Sequence, residues 1–258
     1  MQALPLPNPS KLKIAPWYIA RWTNPERASM TKEELTVHHK TGCVGMASGS
    51  GFRARPFSKL PADHAVLKYE VFFPEEFKWV KGGKLPGLSF GVGDVDASGG
   101  DWKDDGGSFR VMFREDGQAI AYVYLPLQTC AKGKKKQRDG TLDVQGSDFK
   151  RAAEGTDGKH AGLDLWFKHG ERLQLKKGAW NTICVEVRLN TVGKANGCLG
   201  LTVNGEKRTL DSVVYRTDPD VHVNWVLFAS FFGGSTDDWE ATKQEKIGYR
   251  NFSFASKS

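Results

Sequence analysis

Two short patterns in the middle of the chain carry side chains that could bind an anion and move a proton. Ser108 and Arg110 are separated by one apolar residue, and so are Tyr122 and Tyr124. A guanidinium group offers a fixed fork of donors to an anion such as a carboxylate. A phenol can serve as a general base when ionised and as a general acid when protonated. The four side chains together predict a site for an acidic ligand.

These side chains meet only if the segments that carry them pair as strands in one register. Alternate side chains of a strand share a face. A three-residue loop at Glu115–Gly117, with glycine in the left-handed conformation, would set Arg110 opposite Tyr122 and the serine opposite the second tyrosine. A two-residue turn would set Arg110 opposite Val123 and mix polar with apolar side chains. We predict the first register because it keeps the apolar face intact, although the polar face could also be an outer surface with cation–π pairs.

Basic residues flank this strand pair on both sides in the sequence. The segment 81–88 brings Lys84, with Lys81 as its alternative, to the start of a predicted strand, and its glycines leave room for a bulky ligand. Downstream, residues 132–138 include five basic side chains. This second segment predicts a solvated loop, a nucleic-acid-binding patch, or a loop that reaches over an anionic ligand. No zinc finger, helix-turn-helix or RNP-type strand accompanies it, so nucleic acid is the least favoured of the three.

The segments that carry these residues are predicted to be β-strands. Short alternating segments separated by glycine-rich turns indicate an all-β antiparallel sandwich, or jelly roll. No repeat or linker interrupts the chain, so we predict a single domain over 1–258, with 1–15 as an extended N-terminal arm. A capping-box pattern at 31–34 predicts one short helix. The predicted strands are 67–73, 85–90, 108–114, 118–125, 163–167, 182–190, 199–204, 224–232 and 247–254.

The amino-acid composition limits the kinds of partner that this protein is expected to bind. The chain has 258 residues, of which 39% are hydrophobic, enough for one sizeable core. Its 37 basic and 30 acidic residues give a net charge of +7, with a pI of about 9.1, so we expect an anionic partner such as nucleic acid, an acidic polysaccharide or a membrane surface. No window approaches the ~18 apolar residues of a membrane span. The start lacks the layout of a secretory signal, and the sequence leaves localisation open. We expect a monomer.

The cysteines do not predict a zinc site or a disulfide. No two of the four form a Cys-x-x-Cys pair. Cys184 and Cys198 fall on two predicted strands at places ~20 Å apart, which is too far for a bond. We expect Cys43, Cys130 and this pair to be thiols.

One acidic segment has the spacing of a calcium loop. It lacks the usual bidentate Glu and the helical flanks, so we expect a polar loop and no cofactor, with Ca²⁺ as the alternative. His38 and His39 have no third ligand in range, and we expect no metal there. The residues that would hold the calcium are Asp94, Asp96, Ser98 and Asp105.

The four motifs around the site, taken in order, resemble polysaccharide lyase family 14. They are the segment 81–88, the Ser-x-Arg pair, the Tyr-x-Tyr pair and the segment 231–239, and the resemblance runs from about Lys68 to Phe254. It implies a β-jelly roll that cuts 4-linked polyuronates, alginate or glucuronan, by β-elimination. It also implies virion-associated or extracellular action on a cell wall.

Carried onto this sequence, the resemblance implies a set of catalytic residues: Lys84, Ser108, Arg110, Tyr122 and Tyr124. Arg110 and Lys84 would neutralise the sugar carboxylate while the C5 proton leaves. One tyrosine would transfer the C5 proton or protonate the leaving oxygen while the other orients the sugar, with Lys84 as a competing base. Further substrate-binding residues are predicted at Arg114, Lys134 and Lys135.

Tryptophans divide into two predicted groups. By alternation Trp166, Trp180 and Trp225 belong to the core, whereas Trp102 and Trp239 lie in polar loops and could stack on sugar rings.

Other functions remain open at this point. A glycoside hydrolase needs a facing pair of carboxylates, and the candidate strands supply none because Glu115 and Asp116 lie in the turn. This favours elimination over hydrolysis. The alternatives are a non-catalytic jelly-roll lectin for acidic polysaccharides and a nucleic-acid-binding protein that uses residues 132–138.

Overall fold

Two antiparallel sheets form a β-sandwich. A computed structural model describes residues 1–95, 105–125, 149–151, 162–167 and 172–258. Within these ranges there is no α-helix, only single turns of 3-10 helix, and no helix is long and apolar enough to cross a membrane. The predicted all-β jelly-roll class is confirmed.

The first sheet, called the back sheet here, holds eight strands. In spatial order they are β15 (Glu206–Val213), β14 (Gly197–Val203), β13 (Trp180–Arg188), β6 (His64–Phe72), β17 (Glu245–Lys257), β4 (Leu35–His39) and β3 (Ala28–Met30), with β1 (Gln2–Ala3) added to β17.

The second sheet, called the front sheet, holds nine strands and carries the predicted site. In spatial order they are β10 (Phe149–Arg151), β11 (Gly162–Phe167), β9 (Gln118–Tyr124), β8 (Gly106–Arg114), β7 (Gly82–Val92), β16 (Val221–Phe232), β5 (Ser50–Ala54) and β2 (Ile19–Thr23), with β12 (Leu173–Gln174) added to β9.

The core lies between the two sheets and is built from one side of each strand. In the front sheet β8 contributes Phe109, Val111 and Phe113, and the back sheet contributes residues such as Tyr69 and Tyr249, all of them fully buried. Because successive side chains of a strand point to opposite faces, the intervening residues of the front sheet lie on its other face. This outer surface of the front sheet is called the open face below.

The predicted helix at 31–34 is wrong. Thr31 Oγ1 accepts hydrogen bonds from the backbone N–H groups of Glu33 and Glu34, as a helix cap would. The chain then enters β4 at Leu35, whose side chain is fully buried. Burial of the β4 side chains against the core overrides the local capping signal.

Two of the three tryptophans assigned to the core lie elsewhere. Trp225 is buried, but it lies on the open face, because a register shift between Val223 and Trp225 reverses the alternation of β16. Trp180 lies on the outer side of the back sheet under Arg250, whose Cζ is 4.0 Å from its ring. The side chain of Trp166 and all of Trp102 lie outside the described residues.

The described cysteines, Cys43, Cys184 and Cys198, are free thiols. Cys198 is the Cα partner of Arg188, four residues along β13 from Cys184, so no bond can join this pair. Cys130 lies outside the described residues.

Candidate active site

The β8–β9 hairpin has the predicted register. Its loop is Glu115–Gly117, with Gly117 at φ +74°, and the residue before it, Asp116, is also left-handed at φ +60°. Arg110 is the Cα partner of Tyr122. Ser108 is likewise paired with Tyr124. Cross-strand partners project to the same side of a sheet, so all four residues belong to the open face.

A β-bulge in β7 brings Lys84 to the same face. The register shifts between Leu85 and Gly87, and Pro86, which has no N–H to give to a ladder, occupies the bulge. The carbonyl of Pro86 accepts a hydrogen bond from the buried Tyr69 hydroxyl at 3.0 Å. Because of the extra residue, Leu85 stays in the core while Lys84 pairs with Met112 of β8 on the open face.

Close approach of the backbones explains the glycine in this bulge. A Cβ on Gly87 would lie 2.0 Å from the carbonyl oxygen of Phe109 and 2.7 Å from the Cα of Arg110. No side chain fits there, so Gly87 holds β7 against the strand that carries the arginine.

The ammonium group of Lys84 is enclosed by its neighbours on this face. Its Nζ lies 3.2 Å from the ring centroid of Tyr122 and 2.9 Å from Met112 Sδ. The lysine is only 6% exposed. A cation held against an aromatic face and a polarisable sulfur has lost most of its water, which strengthens its attraction for any anion that enters.

Arg110 lies beside both tyrosines. Its Cζ is 5.8 Å from the ring of Tyr122 and 5.5 Å from the ring of Tyr124, and the two tyrosine hydroxyls are 3.4 Å apart. Arg110 is 4% exposed, and its Nε is buried without a hydrogen-bond partner in the described part of the chain. A buried donor without a partner is costly, so an anion that accepts from this guanidinium group would be bound favourably.

Lys81 lies at the margin of the face and has a different environment. It is half-exposed and forms an ion pair with Asp238. Nearby, the Cζ of Arg114 is 5.1 Å from the ring of Trp239, and its Nη1 donates to the Lys81 carbonyl. The geometry thus favours Lys84 over Lys81 as the lysine that acts with Arg110, and it puts Arg114 and Trp239 together at one end of the face.

The open face is strongly positive. Six neighbouring strands of the front sheet, β2, β5, β7, β8, β9 and β16, contain no Asp or Glu. Beyond β9, Asp164 of β11 is the Cα partner of Tyr122. The basic residues of the six strands are Arg21, Arg53, Lys84, Arg110 and Arg114. Such a surface attracts an acidic ligand over a distance of about a Debye length.

Several predicted residues cannot be placed in this site. Lys134, Lys135, Asp96 and Ser98 lie outside the described residues. Asp94 is described and forms a 2.5 Å ion pair with Arg55. Asp105 is described as well, and in the described ranges no cluster of three or more His, Cys, Asp or Glu side chains could hold a metal ion.

Two of the site's features escaped the sequence reasoning. Alternation along the strand places Met112 on the same side as Arg110 and Arg114, but nothing in the sequence indicates that its Sδ lies against the Lys84 ammonium group. The contribution of β16 through Trp225 was missed because the bulge leaves no mark in the alternation pattern.

Known proteins share this sequence pattern and this fold. A family model described as Polysaccharide lyase 14 matches residues 27–252. A viral protein named Exolysin, from Paramecium bursaria Chlorella virus 1, is 28% identical over 219 residues, which are 80% of this chain and 31% of that protein, so the chain spans about a third of this relative's length.

Two solved structures are similar over nearly the whole chain. Alginate lyase vAL-1 from Chlorella virus is 25% identical, with a TM-score of 0.71 and coverage of 93% of both chains. A marine PL-14 alginate lyase from Aplysia kurodai is also 25% identical, with a TM-score of 0.75 and coverage of 92% of this chain and 90% of that one. By the extent of the family match, the chain belongs to polysaccharide lyase family 14.

Proposed function

We propose that this protein cleaves 4-linked polyuronates by β-elimination on the open face of its front sheet. The observation that carries the proposal is the grouping of Lys84, Arg110 and two tyrosine hydroxyls on one face whose six strands contain no acidic residue. Two solved relatives are alginate lyases by name, which supports alginate as the first substrate to test.

The reaction begins with the loss of a proton next to a charged carboxylate. Removing the C5 proton puts further negative charge on a group that is already an anion, so that charge has to be neutralised. Arg110 can do this as a fork of donors, since its buried Nε has no other partner among the described residues. Lys84 adds a second positive charge from a partly desolvated position.

Proton transfer falls to the tyrosine pair or to Lys84. The C5–H bond breaks, its electron pair forms the C4=C5 double bond, and the C4–O bond breaks with a proton delivered to the leaving oxygen. With their hydroxyls 3.4 Å apart, Tyr122 and Tyr124 can divide the base and acid steps between them. Lys84 is the competing base, because its Nζ reaches the same side of the sheet.

The same geometry argues against hydrolysis. A glycoside hydrolase needs two carboxyl groups flanking the bond. Among the residues that the structure describes, Asp164 is the single acidic backbone partner of the tyrosine strand, while Glu115 and Asp116 lie in the hairpin loop. One acidic residue does not make the required pair.

The test is to incubate the protein separately with polymannuronate, polyguluronate and glucuronan and to follow the ultraviolet absorbance of the unsaturated uronate. We expect the absorbance to rise with at least one polymer, and the preferred polymer identifies the uronate. Binding to a polymer without any rise would support the lectin alternative. Cleavage into saturated products would overturn the proposal. Activity on isolated plant or algal cell walls tests the proposed cell-wall role.

A further inference from the structure

The charged part of the open face extends well beyond the candidate active site. Adjacent strands of the front sheet place a continuous row of Cα partners across the sheet: Arg21, Arg53, Leu227, Gly87, Arg110 and Tyr122. Arg53 is three strands away from Arg110 in this row, or ~14 Å at the usual strand spacing. That is longer than a single sugar ring.

The stretch between the two arginines is smooth and apolar. Leu227 is only 7% exposed and Gly87 has no side chain. Neither residue projects above the surface of the sheet, and neither can form an ion pair with a ligand. A chain of sugars that crosses the strands along this row would have its ring faces over these two residues and a basic group at each end.

A tryptophan holds the remote arginines in place. The Cζ atoms of Arg53 and Arg55 lie 5.3 Å and 3.9 Å from the ring centroid of Trp225. Arg55 also donates from Nε to the carbonyl of Asn224 and from Nη2 to Asp94. Guanidinium groups that are already ordered lose less entropy when they bind a ligand.

The same tryptophan borders a pocket at this end of the face. The pocket has a volume of about 370 Å³, and its lining includes Lys13, Tyr18, Arg55 and Trp225. It adds a further cation and a concave wall to the two arginines.

We infer that Arg53, stacked on Trp225, forms a second carboxylate-binding subsite, which takes a uronate unit of the same chain whose reacting unit lies at Arg110. Arg55, which is already paired with Asp94, helps to hold the tryptophan. This inference rests on the proposed function. Its consequence is a preference for long substrates, because only a chain that spans both ends of the row can use both groups of cations.

The experiment compares how strongly the wild-type protein and three variants prefer long substrates to short ones. The measured quantity is the ratio of kcat/KM for the preferred polymer to kcat/KM for the shortest oligosaccharide that the wild-type protein cleaves. We expect Arg53→Gln to lower this ratio about tenfold, as for the loss of one charge-assisted hydrogen bond. Arg53→Lys should lie between this variant and the wild type, because it keeps the charge and loses the fork.

A matched control lies on the back sheet. Arg250 is also stacked on a tryptophan, with Cζ 4.0 Å from the ring of Trp180, and it pairs with Glu70. Arg250→Gln removes the same charge from the other side of the molecule and should leave the ratio unchanged. An equal fall in the control, or no fall for Arg53→Gln, would overturn the subsite while the proposed function stands. A wild-type protein that neither binds nor cleaves any polyuronate would overturn both.

Discussion

At the scale of single residues, the proposed chemistry depends on which lysine acts with Arg110. Lys84 is buried against Tyr122 and Met112, whereas Lys81 is half-exposed and paired with Asp238. A buried cation on the open face can act on a bound carboxylate, while a surface ion pair contributes little.

We expect Lys84→Ala to lower kcat by about 10²- to 10⁴-fold, which is the usual contribution of an acid–base group. Lys81→Ala should stay within about fivefold of the wild type, since it breaks only an exposed ion pair. Steady-state kinetics on the preferred polyuronate provides the measurement, and a larger loss at Lys81 would refute the assignment. Lys84→Arg separates the two roles of the lysine, because arginine keeps the charge but cannot act as a base.

The pH dependence of the rate tests the identity of the base. Lysine and tyrosine side chains ordinarily have pKa values near 10. A base works in its deprotonated form, so kcat/KM should increase from neutral to alkaline pH. A profile that is already flat from about pH 6 upwards would contradict both candidate bases.

At the scale of the elements, the bulge in β7 decides where the site residues point. Leu85 and Leu88 both belong to the core although they are three residues apart, and this is possible only with the extra residue at Pro86. The bulge is supported from the other sheet by the hydroxyl of Tyr69.

We expect Gly87→Ala to lower both stability and activity. The new methyl group would meet the carbonyl oxygen of Phe109 at 2.0 Å, so β7 has to move away from β8, at a cost of about 1–3 kcal/mol or more. Gly233→Ala is the control, because a Cβ there meets nothing closer than 3.6 Å. Denaturant unfolding measures the difference, and equal stabilities of the two variants would argue against a required bulge.

The elements also show how far a sequence alone predicts this molecule. Each of the nine predicted strands overlaps an observed one, and the hairpin register follows from Glu115–Gly117 because one loop length keeps the apolar face together. The short strands before His64, the short strands β10 and β12 and the polar edge strand β15 were missed, since they are too short or too polar to stand out in the sequence. Bulges add a residue without changing composition, which is why Trp225 was assigned to the wrong face.

At the scale of the whole molecule, the two sheets are joined by buried polar contacts as well as by the apolar core. His39 of the back sheet lies with Nε2 3.1 Å from the Ser230 hydroxyl of the front sheet, which also accepts a hydrogen bond from Tyr249. Burial lowers the pKa of His39 from 6.5 to about 3, because desolvation disfavours the charged ring.

This histidine makes the stability of the sandwich sensitive to acid. Below pH 6.5 the unfolded chain takes up a proton that the folded His39 does not, so stability falls as the pH drops from 6.5 towards 3. The loss attributable to His39 is about 2 kcal/mol at pH 5. His39→Leu should remove this part of the pH dependence, and His38→Gln, at the exposed neighbour, should retain it. Unfolding free energies that change equally with pH in both variants would contradict the assignment.

Part of the chain's excess of basic residues lies on the open face. Five basic residues and no acidic one lie in six adjacent strands of the front sheet. This concentration of charge fits a surface that attracts an acidic polymer towards the tyrosine pair.

The mass of the products formed from the preferred polyuronate in ¹⁸O-labelled water distinguishes elimination from hydrolysis. Elimination creates each new non-reducing end as an unsaturated uronate without adding water to the cleaved bond. We predict unsaturated products with no label introduced by cleavage, and their loss in the Tyr122→Phe and Tyr124→Phe double variant. Saturated products that carry one labelled oxygen per cut would contradict the account.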